Sequence, residues 1–211
     1  PRLNKLAYLF RGISNAAMKT SLLKKAIGFA PERSLPELSK LTLNKWISNG
    51  IPQPDSGSKG KVYLFNDEFT NYNESDIGIK AILVLTKLGY EVKIPVHKES
   101  ARTFLSKGLL RTSKKIATEN VNLLKDIVSE ETPLIGIEPS AILAFRDEYP
   151  ELVDDKLKSA AEELGQHALL FDEFIATEME KGNISSDAFT QEKKQILLHG
   201  HCQQKAVAST E

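Results

Sequence analysis

Apolar residues follow three different rhythms along the chain. Over residues 1–49 they recur at helical spacing, first as Leu3, Leu6, Ala7 and Phe10, then as Met18, Leu22, Leu23, Ala26 and Ile27. After a break at Gly28 and Pro31 a third stripe, Leu38, Leu41, Trp46 and Ile47, runs up to Asn49-Gly50. This pattern predicts an N-terminal segment that is helical throughout. Residues 50–60, rich in Gly, Pro and Ser, lose all periodicity and read as a linker.

From residue 61 short apolar runs alternate with helical stripes. Val62-Tyr63-Leu64-Phe65 ends in the polar turn Asn66-Asp67, and an amphipathic helix follows through Ile77, Ala81, Ile82, Val84 and Leu85 to Gly89. Tyr90-Glu91-Val92-Lys93-Ile94-Pro95 alternates at period two, then a helical pattern passes through Leu109, Ile116, Ala117, Val121, Leu124 and Val128. Leu134-Ile135-Gly136-Ile137 is a third strand, followed at Glu138-Pro139-Ser140 by a helix running through Phe145. Helical stretches near 151–164 and 171–181 precede a fourth apolar run, Ile196-Leu197-Leu198, which reads as the last strand over 195–198. Strands alternating with long helices predict an α/β fold: a parallel, doubly wound sheet over residues 61–211 with helices on both faces, preceded by the N-terminal helical segment.

Composition narrows the function classes. Lys plus Arg and Asp plus Glu are equal at 28 each, so no global field draws the chain to nucleic acid or to an anionic membrane. No apolar run approaches the roughly 20 residues that span a bilayer. A single cysteine excludes an internal disulfide and suits a reducing, cytoplasmic setting. The start at Pro1 without an initiator Met, and the halt at Glu211, point to a piece of a longer protein.

The chemistry concentrates near the C-terminus, where His199-Gly200-His201-Cys202 holds the only cysteine and two of the four histidines. A strand running into this motif would deliver a thiol and two imidazoles to the carboxyl end of the sheet, where open α/β folds place their ligands. Cys202 and His201 are candidate metal ligands and His199 a candidate cofactor contact, because iron and zinc favour such donors. The alternative for either histidine is to cap the following helix or to bond a nearby carbonyl. Glu138 and Ser140 stand at a strand-to-helix turn that can face a cofactor, although the glutamate opposes an anion there. Arg102, with Lys98 and Lys107, could hold an anionic group or be ordinary surface charge. Arg146, Asp147 and Glu148 read as a solvated or ion-paired face, and Lys114-Lys115 as helix support opposite Glu119.

Several segments together resemble one family. They are Leu64-Phe65-Asn66-Asp67-Glu68-Phe69-Thr70-Asn71-Tyr72-Asn73, Leu88-Gly89-Tyr90-Glu91-Val92, Ser106-Lys107-Gly108-Leu109-Leu110, Gly136-Ile137-Glu138-Pro139-Ser140, Phe145-Arg146-Asp147-Glu148-Tyr149-Pro150, and His199-Gly200-His201-Cys202 with Gln204-Lys205. In this order they resemble the cysteine-rich "CCG" domain of FAD-linked oxidases. That domain is similar to the iron–sulfur subunits of glycolate oxidase, anaerobic glycerol-3-phosphate dehydrogenase and heterodisulfide reductase. The resemblance implies two pseudo-repeats, each supplying a cysteine after its first strand and a later Cys-Cys-Gly, that can hold iron–sulfur clusters. It also implies that FAD sits in another domain of the full-length protein, and that residues 1–49 adjoin a ferredoxin-type module.

This chain departs from that pattern. Glu68 stands after the first strand, and Glu99-Ser100-Ala101-Arg102 stands where the first Cys-Cys-Gly-Arg would be. Clusters are held mostly by thiolates, so none is expected in this chain, and one only in a longer protein that completes the second repeat. The resulting expectation is an electron-transfer or docking domain of a larger FAD-dependent 2-hydroxyacid oxidoreductase of the lactate or glycolate type. It is not itself catalytic, and its partners are flavin-binding and ferredoxin-type domains and a membrane-associated electron acceptor. The alternatives are a non-redox structural module of the same protein and a metal hydrolase built on Cys202, His199 and His201.

Overall fold

The computed structural model describes residues 2–55 and 57–208. Ser56 of the expected linker, residues 209–211 and the side chain of Leu3 lie outside the described residues. Helices α1 (Arg2–Leu9), α2 (Arg11–Lys19) and α3 (Ser21–Ala26) follow one another. Gly28, at φ +80°, then turns the chain out of the helix. Residues 27–42 carry no helix, so the expectation of helix throughout 1–49 is corrected. Pro31 and Pro36 supply no amide donor there and restrict the residues before them. Helix resumes at α4 (Leu43–Ile47), where the Thr42 hydroxyl accepts from Lys45 N–H at 3.2 Å and Leu43 is fully buried.

The core unit follows in chain order. β1 (Gly60–Leu64) leads to α5 (Glu68–Tyr72) and α6 (Ser75–Lys87), and β2 (Tyr90–Lys93) to α7 (Arg102–Leu105) and α8 (Leu110–Leu124). β3 (Leu134–Gly136) is followed by α9 (Pro139–Ile142), a 3-10 turn over Leu143–Phe145, α10 (Glu148–Leu152) and α11 (Asp155–Gln166). β4 (Ala168–Leu170) runs directly into α12 (Phe171–Glu180), and α13 (Cys202–Val207) comes last. The strands lie in the order β2-β1-β3-β4 and every pairing is parallel, as the alternation of strand and helix predicts.

The pleat divides the core between two faces. Val62 and Leu64 of β1 and Ile135 of β3 pack with Ile82 and Leu85 of α6 and Phe174 of α12. Phe65, Leu134, Ala168 and Leu170 pack on the other side with Val121 and Leu124 of α8 and Leu164 of α11. Gly136, at the end of β3, is required by a close approach: a Cβ there would stand 2.3 Å from the Ile142 Cβ.

The expected strand at 195–198 does not form, and the fourth strand is Ala168–Leu170 instead. Ile196, Leu197 and Leu198 are 76–93% exposed and lie in a stretch without regular structure. An apolar triplet becomes a strand only where an edge accepts it, and the open edge of β4 is closed. Leu134 N–H donates to the His167 carbonyl at 2.9 Å, so the groups of Ala168 and Leu170 face away from β3. Arg146 Nε donates to the Ala168 carbonyl at 2.8 Å, and a Glu173 carboxylate oxygen accepts from Leu170 N–H at 3.0 Å. Arg146 and Glu173 also pair with each other through both guanidinium nitrogens. One ion pair thus fills the Ala168 carbonyl and the Leu170 N–H on the outer side of an edge strand that could otherwise recruit another chain.

This clamp predicts an outcome for the charge-swapped double variant Arg146→Glu, Glu173→Arg. Opposite charges remain, but an acceptor now faces the Ala168 carbonyl and a donor faces the Leu170 N–H. Light scattering after gel filtration should show concentration-dependent association above that of the parent. Behaviour equal to the parent would reduce the pair to a simple ion pair.

Candidate functional site

Parallel strands put all their carboxyl ends on one edge, and the buried polar groups gather there. β1 ends in Phe65-Asn66-Asp67-Glu68. Asp67 caps α5, its carboxylate accepting from Phe69 N–H at 2.8 Å, Thr70 N–H at 3.0 Å and the Thr70 hydroxyl at 2.6 Å. Glu68 turns inward to the loop that follows β2. One carboxylate oxygen accepts from Ser100 N–H and the other from the Ser100 hydroxyl, both at 2.9 Å. The Ser100 hydroxyl accepts in turn from Arg102 N–H at 3.1 Å. Glu68 is 5% exposed and Ser100 not at all.

Other buried groups hold the same loop from below. The Tyr149 hydroxyl donates to the Ser100 carbonyl at 3.1 Å and accepts from the Asn120 amide at 2.9 Å. Asn120 also donates to the Glu99 carbonyl at 3.0 Å and accepts from Lys98 N–H at 2.7 Å. His97 packs against Phe65 with ring centroids 4.5 Å apart. Ala101, at φ 64°, is the only non-glycine residue in the left-handed region among the described residues. It occupies the place of the glycine in the resembled Cys-Cys-Gly, so the loop keeps a glycine-type turn without a glycine.

Burial governs the electrostatics of this edge. It pushes the Asp67 carboxyl up to about 6, against the hydrogen bonds from Thr70 and Phe69. It also holds the His97 imidazole below its usual value, opposed by the Lys98 carbonyl and Glu68. Tyr149 is raised, chiefly by burial. Asn66 donates to the Asn44 side chain at 2.9 Å, while its own amide oxygen is buried without a protein partner. Asn44 N–H donates to the Asn71 side chain at 2.9 Å, so α4 is tied to this edge as well.

The residues singled out in the sequence fall into separate groups. Glu138 caps its own helix: a carboxylate oxygen accepts from Ser140 N–H at 3.3 Å and from the Ser140 hydroxyl at 2.7 Å. The turn therefore supplies its own anion. His201 lies beside it, its Nε2 3.9 Å from the Glu138 carboxylate, and its Nδ1 caps α13 by accepting from Gln203 N–H at 3.2 Å. That is the helix-capping alternative for this histidine. His199 and Cys202 are exposed, and no strand delivers them. No group of three or more His, Cys, Asp or Glu residues with metal-binding geometry occurs among the described residues.

Arg102 pairs with Glu148 and is not free for an anionic ligand. Of the face read as solvated or ion-paired, Arg146 and Glu148 are ion-paired, and Asp147 accepts from the Gln203 side chain at 3.4 Å. Lys114 pairs with Asp154 rather than Glu119, which is taken instead by Lys98 at 3.5 Å. Sequence reasoning passed over Asn120, Tyr149 and His97. Asn120 carried a signal, since it falls on the buried stripe of α8 between Ala117 and Val121, where a polar side chain needs partners.

Two clefts lie elsewhere. One of about 420 Å³ borders the β4 clamp, lined by Arg146, Glu162, Gln166, Leu169 and Glu173. Another of about 350 Å³ lies at the amino ends of the strands, beside Lys59, Tyr90, Glu178 and Lys181. Neither opens on the Glu68–Ser100 loop. No helix among the described residues is long and apolar enough to cross a membrane.

The chain is similar to several dehydrogenases. It is 24% identical over 201 residues to D-2-hydroxyglutarate dehydrogenase of Escherichia coli K12, a match covering 92% of this chain and 19% of that protein. It is 23% identical over 166 residues to the D-2-hydroxyglutarate dehydrogenase of Haemophilus influenzae, covering 74% of this chain and 16% of that one. It is 30% identical over 139 residues to one subunit of the anaerobic glycerol-3-phosphate dehydrogenase of Escherichia coli K12, covering 64% of this chain and 35% of that polypeptide. The chain thus spans between 16% and 35% of the length of these relatives. No family model matches it. No solved structure matches it either.

Two outcomes follow from the loop. Ala101→Gly relieves a left-handed alanine and should stabilise the fold by about 1 kcal/mol. Urea denaturation checks this. The second concerns pH. A folded-state value for Asp67 raised from 3.8 to about 6 means its contribution is full below about pH 4 and is lost as pH rises through about 6. The difference is on the order of 3 kcal/mol. Between pH 4 and 7, Asp67→Asn should remove this decline from the stability profile. An unchanged slope would show that Asp67 does not titrate in this window.

Proposed function

We propose that this chain is a docking domain of a larger flavin-dependent 2-hydroxyacid oxidoreductase, and that its first repeat holds no iron–sulfur cluster. The flavin belongs to another domain, where substrate oxidation takes place. This domain supplies a rigid α/β surface to the flavin-binding and ferredoxin-type domains in the cytoplasm, with electrons passing on to a membrane-associated acceptor. Similarity to D-2-hydroxyglutarate dehydrogenases and to one subunit of an anaerobic glycerol-3-phosphate dehydrogenase, all much longer than this chain, supports the oxidoreductase setting.

The observation that carries the reading is the Glu68–Ser100 contact. These residues stand where the resembled family has cysteines, and they are bonded to each other. Both Glu68 oxygens and the Ser100 hydroxyl are occupied within the loop, and Ser100 is wholly buried. The donors are also hard oxygens, poorly suited to a soft iron–sulfide cluster. The residues present therefore do not fit the group. Structural support rather than electron transfer is the role this loop is built for.

An electron-transfer role in the second half would fall to Cys202, the exposed thiol at the start of α13 beside His201. Anaerobic reconstitution with iron and sulfide, read by iron quantitation and visible absorption, tests both halves. The expected result for this chain is no stoichiometric iron and no broad charge-transfer band. Stoichiometric iron in monomeric protein that survives Cys202→Ser would place a cluster at the first repeat and overturn the reading.

A further inference from the structure

The N-terminal helices present their two faces in an unusual sense. Polar groups fasten them to the rest of the protein. The Tyr8 hydroxyl donates to the Lys40 carbonyl at 3.0 Å, and the Asn15 side chain both donates to the Leu38 carbonyl and accepts from Leu38 N–H at 2.9 Å. Leu6 and Leu9 of α1, Ile13 of α2 and Phe10 at the break between the two helices take no part in these contacts and are 57–75% exposed. α2 buries none of its residues. Leu22, Ile27 and Phe29 extend the exposed apolar surface at 45–82%. A surface helix ordinarily turns its apolar residues toward the core, and contiguous exposed apolar residues mark a site of interaction.

Charge identifies what covers it. The whole chain is neutral, but between Arg2 and Arg33 it carries seven basic residues and a single acidic one, Glu32. Lys19 pairs with Glu37 at 2.8 Å, and Lys24 donates to the Pro31 carbonyl at 3.0 Å. Arg11, Lys25 and Arg33 form no ion pair among the described residues. The partner must therefore be apolar at depth and negatively charged at its surface. An anionic lipid bilayer supplies both from one side.

We propose that α1–α3 form an interfacial membrane-binding patch. Leu6, Leu9, Phe10 and Ile13 enter the boundary between headgroups and acyl chains, and Lys25 and Arg33 meet lipid phosphates. The helices lie on the membrane and do not cross it. This inference rests on the N-terminal helices alone and is independent of the function proposed above.

Flotation of the full chain with vesicles of equimolar phosphatidylglycerol and phosphatidylcholine tests it. The protein should float with these vesicles, and raised salt should weaken the binding. Leu9→Ser with Ile13→Ser should lower partitioning roughly tenfold or more. Lys25→Glu with Arg33→Glu should reduce it to the level found with phosphatidylcholine alone. All four positions are exposed, and an unchanged melting temperature confirms that the variants fold. Failure to float with the anionic vesicles, or equal flotation of parent and variants, would overturn the proposal. So would lipid-free self-association abolished by Leu9→Ser with Ile13→Ser, because a second copy would then cover the stripe.

Discussion

The carboxyl edge of the sheet depends on one buried carboxylate. Glu68 leaves water at the end of β1 and recovers two hydrogen bonds, both from Ser100. Charge-assisted bonds of this kind contribute about 1.5–3 kcal/mol each, whereas a buried carboxylate without them would cost more than the local structure could offset. The bond also spans 32 residues of chain and joins the ends of β1 and β2. With that closure made, Ala101 is held in the left-handed region, Arg102 starts α7, and the Ser100 carbonyl is presented to Tyr149. Tyr149 then seats Asn120, and Asn120 orders Lys98 and Glu99. Removing either member of the pair would leave the other polar, buried and unsatisfied, so the network is expected to fail as a unit.

The first three strands were legible because each stands between turn residues, β1 and β3 within apolar runs and β2 as an alternation at period two. β4 was not. Only His167 separates it from α11, and it runs directly into α12, so the apolar stripes of its neighbours mask it. Ile196-Leu197-Leu198 is at least as apolar as Ala168-Leu169-Leu170 and stays unpaired, because strand formation is a property of the accepting edge as much as of the segment. That edge is filled by Arg146 and Glu173, 27 residues apart in sequence. Arg146 read as part of a solvated or ion-paired face, but nothing in the sequence pointed to Glu173 as its partner or to a strand beneath the pair.

The site was legible in outline only. Motif order located Glu68 and Ser100 at exceptional positions, but no spacing rule could show that a carboxylate and a hydroxyl so far apart would bond to each other. The histidine–cysteine motif attracted attention through residue type, while the structure gives His201 a helix cap. Glu138 likewise spends its carboxylate on its own helix. In both cases a short-range use of the side chain displaced a long-range one, as is usual for polar residues at helix starts.

Periodicity has a further blind spot, which bears on how the domain meets its surroundings. A stripe at i, i+3, i+4, i+7 shows that a helix has an apolar face but not where that face points. In α6, α8 and α11 the stripe points to the sheet, because a large apolar surface awaits it there. α1 and α2 lack such a surface. Residues 38–40 offer them backbone carbonyls and an amide instead, which Tyr8 and Asn15 satisfy. The helices therefore dock by hydrogen bonds and turn their hydrocarbon outward. The same chain closes the edge of β4, where stray pairing would be non-specific, and leaves this apolar stripe uncovered. Contiguous exposed hydrocarbon of this kind marks a surface of interaction.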